Sequence, residues 1–362
     1  MADRRNLSSR DSLAPLNGLR GLAVLYVVVS HLGLDGLHLF PLPHDSIGKV
    51  GVWIFFTLSA FLLTTHLVVD IEGSASKASA VLQYSVGRLF RIFPLYVLTL
   101  FLYGVLGEFS FSTVFGHFFL VEGREHFWAI PVEFQYYAVM PMLALLSVKR
   151  SRWPLFTVLT ALITHAVLAG AADPEAVFSN TLSIGPKMLP FLLGSLLALY
   201  PVDAPLKSAL PSRRSTDLVS LVCLATLLLS TWLYRSLRTD DLAVEWAIVV
   251  SSSIAASVVG LVWSSLYPAS LAARCLSFGP LAFLGQVSFG IYLLHLLVIN
   301  LVKHFCLSAY LAAWSALGLS VLVAAITYRL IEVPGIRLGN RIRQGLAVHA
   351  GKVTSHLLPD RP

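Results

Sequence analysis

Ten stretches of this chain, each near the length of a bilayer-crossing helix, are almost free of charge. A helix needs about 20 mostly apolar residues to cross membrane hydrocarbon. The runs 16–34, 48–69, 90–107, 130–147, 154–171, 183–200, 216–235, 244–266, 281–302 and 309–331 come close to that length. Too little polar sequence remains to clothe a soluble core. Of 362 residues, 56% are hydrophobic and 12% charged, and that charged share is about half of what soluble domains carry. A soluble enzyme, a disordered chain and a collagen-like fibre are excluded. The expected fold class is all-α, a polytopic membrane helix bundle of about ten transmembrane helices, because only helices and closed barrels satisfy their backbone in lipid. The stretch 109–120 is apolar but short, and reads as re-entrant or interfacial.

Charge sets the expected orientation. With the N-terminus in the cytoplasm, inside segments carry 20 of the 26 Lys and Arg residues, and Lys49, Arg124, Lys187, Arg235, Arg238 and Lys303 fall outside. This is the positive-inside asymmetry, and with an even span count it puts both termini in the cytoplasm of a cell (inner) membrane protein. The net charge of +7 then reflects membrane topology, and no nucleic-acid partner is implied. Residues 1–15 read as a cytoplasmic leader, 16–334 as one integral domain and 335–362 as a basic, mobile cytoplasmic tail. The linker 70–80 is small and polar. The first run lacks a small-x-small cleavage site and reads as a retained span. Cys223, Cys275 and Cys306 have no CxxC spacing, so neither a disulfide framework nor a metal site is expected.

Ionisable groups in lipid-crossing segments are costly and point to function. His31 follows Arg20 by eleven residues. At 100° and 1.5 Å per residue the two share one helix face, about 16 Å apart. Glu133, Gln135, Tyr136 and Tyr137 crowd the start of the fourth span behind Trp128 and Pro131. An acid in a first helical turn also suits the helix dipole, and aromatic belts are ordinary at interfaces. Arg88 and Arg91 share a face at the expected entrance to the third span. They can be positive-inside anchors or a phosphate clamp, for which guanidinium geometry is suited. Ser288, Tyr292 and His295 gather in the ninth span, with Tyr292 and His295 on one face.

These segments, in order, resemble the acyltransferase-3 family of integral membrane acyltransferases. Leu16-Asn17-Gly18-Leu19-Arg20-Gly21 followed by His31 is similar to the family's opening motif. Gly51 to Leu62, Arg88-x-x-Arg91-x-x-Pro94, Trp128 to Tyr137, Phe191 to Gly194, Ser288 to His295 and Tyr328 to Pro334 resemble its later landmarks. Asn17, Trp53, Ala60 and Phe134 depart from the usual residues, which bears on substrate identity; His31, Arg20, the arginine pair and Glu133 are kept. The chain's length suggests the stand-alone form, without a fused esterase-like domain.

The resemblance implies acyl transfer, commonly of acetyl, from cytoplasmic acyl-CoA to a hydroxyl of a cell-envelope carbohydrate or glycolipid acceptor. Acyl-CoA would be a co-substrate, with no resident cofactor and no metal, and membrane lipid would be the surrounding partner. It implies donor binding by Arg20, Arg88 and Arg91, and a base at His31 oriented by Glu133 if the two are near. Trp128, Gln135, Tyr137, Ser288, Tyr292 and His295 are the expected pocket residues. The main rival is a proton-coupled transporter or flippase with a relay through His31, Glu133 and His295. It leaves the paired arginines unexplained. The expected topology has a direct check: a reporter active only outside the cytoplasm should be silent when fused at 362 and active in the 235–243 loop. Activity at the C-terminal fusion would make the span count odd.

Overall fold

The computed structural model describes residues 10–39, 47–74, 76–149, 151, 153–199, 212–238, 243–305 and 308–356, and among them every element is helical. Cys306, the leader residues Arg4 and Arg5, and part of the 235–243 loop lie outside the described residues. The helices are α1 (Arg10–Leu34), α2 (Gly48–Gly73), α3 (Lys77–Val105), α4 (Phe111–Phe118), α5 (Ala129–Ser147), α6 (Trp153–Ala172), α7 (Pro174–Phe178) and α8 (Met188–Leu199). They continue with α9 (Arg213–Arg238), α10 (Ala243–Ser265), α11 (Leu271–Leu276), α12 (Gly279–Gln286), α13 (Ser288–Lys303), α14 (Ala309–Thr327) and α15 (Val333–His356).

All ten apolar runs are helical, but they are not ten equal spans. Seven described helices are long and apolar enough to cross a membrane, or eight if one bent pair is counted as a span. The run 183–200 forms only the shorter apolar helix Gly185–Leu199. The run 281–302 is broken into α12 and α13, which meet at 77°. The break falls at Val287, whose ψ of 9° departs from the α-helical value. Of the linker expected over 70–80, α2 takes up the part to Gly73 and α3 the part from Lys77, and the Ser76 hydroxyl caps α3 by accepting from the Ser79 N–H at 3.3 Å. Stretch 109–120 holds the short α4.

Polarity is distributed inside out. Phe101, Trp153 and Leu229 expose more than half their surface, whereas Ser195, Ser288 and His295 are fully enclosed. That is the arrangement expected where lipid, not water, covers the outer face. Buried hydroxyls are paired across helices. Ser195 on α8 lies 2.7 Å from both the Tyr136 hydroxyl of α5 and the Thr64 hydroxyl of α2.

α1 is the hub, packing on α2, α11, α12 and α13. Two glycines bring it into backbone contact with its neighbours. A Cβ at Gly285 of α12 would lie 1.7 Å from the Asn17 carbonyl oxygen, and one at Gly18 would lie 1.8 Å from that of Leu276. Small residues at such crossings let helices without a hydrophobic drive between them pack closely. Gly285→Ala should therefore lower stability by at least the roughly 1–3 kcal/mol typical of overpacking. Gly318→Ala, with open space around its Cβ position, is the matched control and should be neutral. Thermal unfolding in detergent reads both; equal melting temperatures for the two variants would refute the contact.

Candidate functional site

Charged side chains gather around one cavity of about 930 Å³ inside the bundle. Along α2 its lining runs from Val52 to His66, fourteen residues or about 21 Å of helix. One end holds His66, Arg343 and Asn340. The middle holds Arg20, Arg88, Arg91, Glu133 and Tyr137, and the far end is closed by Phe55, Ser288 and Tyr292. The Ser288 hydroxyl is buried there without a partner.

α3 starts at Lys77, so Arg88 and Arg91 lie about 16 Å or more along the helix rather than at its entrance. They face the cavity with Arg20. Among the described residues none of these three makes an ion pair, and Arg88 Nε is buried without a hydrogen-bond partner. Acids stand near without touching. Arg20 is within electrostatic reach of Arg91, Glu133 and Glu332. Glu133 lies within electrostatic reach of Tyr137, one turn further along α5. Both Glu332 oxygens are buried and unpartnered. Glu332 ends the π-helical turn Tyr328–Glu332, a type of local widening often found at functional sites.

A second cluster lies beyond Tyr292. His31, His126 and His295 have ring centroids 4.8 Å (His31 to His295), 4.9 Å (His126 to His295) and 6.4 Å (His31 to His126) apart. His31 occupies the last turn of α1 and is half-buried, nearer the helix end than its place in an apolar run suggested. His295 Nδ1 lies 2.8 Å from the Tyr292 carbonyl oxygen and 3.1 Å from that of Ile291. Carbonyls only accept, so this nitrogen carries the proton and His295 Nε2 is an acceptor. His31 Nδ1, 2.9 Å from the Val27 carbonyl, is likewise a donor, and it reaches His295 Nε2 at 3.1 Å. The network thus leaves His31 Nε2 as the basic nitrogen. His126 donates from Nε2 to the Leu293 carbonyl at 3.2 Å, and its own carbonyl accepts from the Tyr292 hydroxyl. The ring planes meet at 54–70°, tilted to T-shaped; among the described residues no group of His, Cys, Asp or Glu is arranged to hold a metal ion.

Several expected residues move. Glu133 makes no hydrogen bond to His31 or His295; His31 is oriented by His295 instead, and no continuous chain links the three. Arg20 and His31 share a face of α1 but serve opposite sides of Tyr292. Trp128 is not a cavity residue: its ring lies under the Lys49 ammonium at 3.8 Å, with that of Lys187 at 5.4 Å. Gln135 faces away and donates to the Leu182 carbonyl at 2.7 Å. Tyr137, Ser288 and Tyr292 do line the cavity. Sequence reasoning missed His126, which has no helical repeat around it, and Arg343. Residues 335–356 are helix rather than tail, and Ile336, Asn340 and Arg343 line the cavity at the i, i+4, i+7 spacing of one helix face.

The family profile described as an acyltransferase domain matches residues 13–330. A putative peptidoglycan O-acetyltransferase, YrhL of Bacillus subtilis, is 27% identical over 323 residues, covering 79% of this chain and 48% of that protein. The O-acetyltransferase OatA of Staphylococcus aureus is 24% identical over 364 residues, 89% of this chain and 57% of its own length. The peptidoglycan O-acetyltransferase OatA of Listeria monocytogenes is 24% identical over 376 residues, 90% of this chain and 56% of its own. The chain spans about half the length of the curated relatives it matches. No solved structure matches it.

The histidine wiring is open to measurement. In protein labelled with ¹⁵N-histidine, neutral His31 should carry its proton on Nδ1 and leave Nε2 bare, and His295→Ala should weaken that preference without reversing it, because the Val27 carbonyl still accepts from Nδ1. A dominant Nε2–H tautomer in the wild type would contradict the network.

Proposed function

The chain belongs to the acyltransferase family whose domain profile covers residues 13–330, and from that premise we propose that it is a membrane O-acyltransferase. It takes an acyl group, most simply acetyl, from coenzyme A on the cytoplasmic side and passes it to a hydroxyl of a cell-envelope carbohydrate. The observation that carries this reading is the cavity with three unpaired arginines, one aromatic partition away from a histidine whose Nε2 is free to act as a base. Two relatives named for peptidoglycan make a wall glycan the first acceptor to try.

In this reading the phosphates of coenzyme A meet Arg20, Arg88 and Arg91, since guanidinium groups bind phosphate through paired, charge-assisted hydrogen bonds. The pantetheine arm runs toward Phe55 and Tyr292, and the thioester passes alongside Tyr292. The acceptor hydroxyl gives its proton to His31 Nε2 as its oxygen attacks the thioester carbonyl. An alcohol is far too weak an acid to ionise unaided, so a positioned base is needed. The tetrahedral adduct collapses to the ester and expels the thiolate of coenzyme A, which takes the proton back from His31 and leaves as the thiol. His295 accepts from His31 Nδ1–H throughout and steadies the imidazolium, the part a third group plays for an activated base. Glu133 and Glu332, within electrostatic reach of Arg20, offset part of the arginine cluster's charge.

Acetyl transfer from labelled acetyl-CoA by the purified full chain tests this directly. His31→Ala should insert normally and lose roughly 10²–10⁴-fold in rate, the usual worth of a positioned base. Near-normal turnover would remove His31 from the mechanism. Arg88→Lys and Arg91→Lys should raise the KM for acetyl-CoA more than they lower kcat, because the contact is made in ground and transition states alike. Unchanged KM in both would leave the arginines as membrane anchors only.

A further inference from the structure

The open end of the cavity holds a fourth guanidinium that the family landmarks do not include. Arg343 lies on α15, three turns past the π-helical segment. Its place is fixed by a close-packed seam: a Cβ at Gly335 would lie 2.8 Å from the Phe90 carbonyl, and one at Gly339 would lie 2.7 Å from the Phe90 Cβ. One turn further, the Arg343 side chain passes over Gly87, its Cδ 3.4 Å from where a Cβ would stand. Gly335, Gly339 and Arg343 thus form one stripe at i, i+4, i+8 along α3, in the small-xxx-small manner of membrane helix pairs. The seam delivers the guanidinium to the cavity beside Arg88.

Arg343 is only partly neutralised. Its Nη2 reaches Asp70 Oδ2 at 3.3 Å, longer than the roughly 2.7–2.9 Å of a tight charge-assisted bond. Its Nε is buried and has no partner, and a buried donor left unpaired is costly. The side chains of Arg343 and Asp70 are 30% and 42% exposed; Arg343 packs at Gly87, beside Arg88, at the His66 end of the cavity, and Arg91 lies about a turn further along α3. His66, within electrostatic reach of Arg88, Asp70 and Arg343, completes this end.

We propose that Arg343, with His66 beside it, is the subsite for the ribose 3′-phosphate of coenzyme A, and so selects the phosphorylated donor over its dephosphorylated form. This rests on acyl-CoA being the donor. The order of groups supports it. From the thioester outward, the donor presents its arm, its pyrophosphate and then the ribose phosphate. From Tyr292 outward, the cavity presents an aromatic end, Arg20 with Arg91 and Arg88, and then Arg343. The outermost phosphate is a monoester, which carries close to two negative charges at neutral pH, and it meets the outermost cation.

The experiment compares acetyl-CoA with acetyl-3′-dephospho-CoA on the full chain in nanodiscs, reading KM for each. The wild type should prefer acetyl-CoA by about ten-fold or more, the worth of a hydrogen bond to a charged group. Arg343→Gln should abolish the preference by raising the acetyl-CoA KM while leaving that for the dephospho thioester unchanged. Arg343→Lys, which keeps the charge, should retain part of it. Each variant is its own reference, so low abundance cannot imitate the result. A preference kept in Arg343→Gln, or both KM values rising together, overturns the assignment. A wild type that uses both thioesters equally overturns it while leaving the donor reading intact. A wild type that uses neither overturns the donor reading and this subsite together.

Discussion

Arg20, Arg88 and Arg91 face one cavity within an apolar bundle, and among the described residues none is joined to a carboxylate by an ion pair. Removing a guanidinium from water costs several kcal/mol unless a counter-charge or water compensates it. The bundle supplies only part of that compensation. Glu133 and Glu332 lie within electrostatic reach but form no ion pair with these arginines. In the proposed function, the phosphates of coenzyme A supply the negative charge that this cavity lacks. A bundle meant only to be anchored in lipid would keep these arginines at the helix ends, where they can reach water and headgroups.

The histidine cluster obeys a different logic. Here four of the six ring nitrogens are hydrogen-bonded, His126 Nδ1 is buried without a partner, and the pairing of His31 with His295 is directional. Two backbone carbonyls fix the His295 proton on Nδ1, which makes Nε2 the acceptor for His31, and the Val27 carbonyl agrees with that assignment from the other side. A neutral imidazole can thus do what a carboxylate does for many catalytic histidines. Placing a carboxylate there would bring a second full charge into a site that a neutral partner can serve at lower desolvation cost. This is why Glu133 is not needed at His31, and why it can stand among the arginines.

Much of this was legible in the sequence because apolar context makes a titratable group conspicuous. His31, Glu133, the Arg88–Arg91 pair and His295 all stand out against hydrocarbon, and the structure places each at one of the two clusters. What could not be read was partnership. One helix face carries Arg20 and His31, but a rise of about 16 Å is enough to put them on opposite sides of Tyr292. Spacing along α5 grouped Gln135 with Glu133 and Tyr137, yet a step of two residues is about 200° around a helix, and Gln135 turns out toward Leu182. The basic residues after 335 looked like a tail because charge dominated the composition. Gly335, Gly339 and Arg343 are a helix-packing stripe whose meaning depends on Phe90 and Gly87 in a distant part of the chain.

The broken helix explains how the two clusters come to share a wall. α12 must lie tight on α1, where Gly285 admits the Asn17 carbonyl, three residues before Arg20. Had α12 continued straight, the residues after it would have kept its direction. The 77° turn at Val287 releases α13 to follow a separate course along α1. Ser288 and Tyr292 then close the cavity, and His295, one turn later, meets His31 near the end of the same α1. One helix, α1, therefore carries Arg20 for one cluster and His31 for the other. The bent α12–α13 pair grips it at both places, at Asn17 through backbone contact and at His31 through the imidazole bond. Any displacement of α1 against this pair moves Arg20 and His31 together, so the geometry of the arginine cavity and that of the histidine cluster are set by the same helix packing.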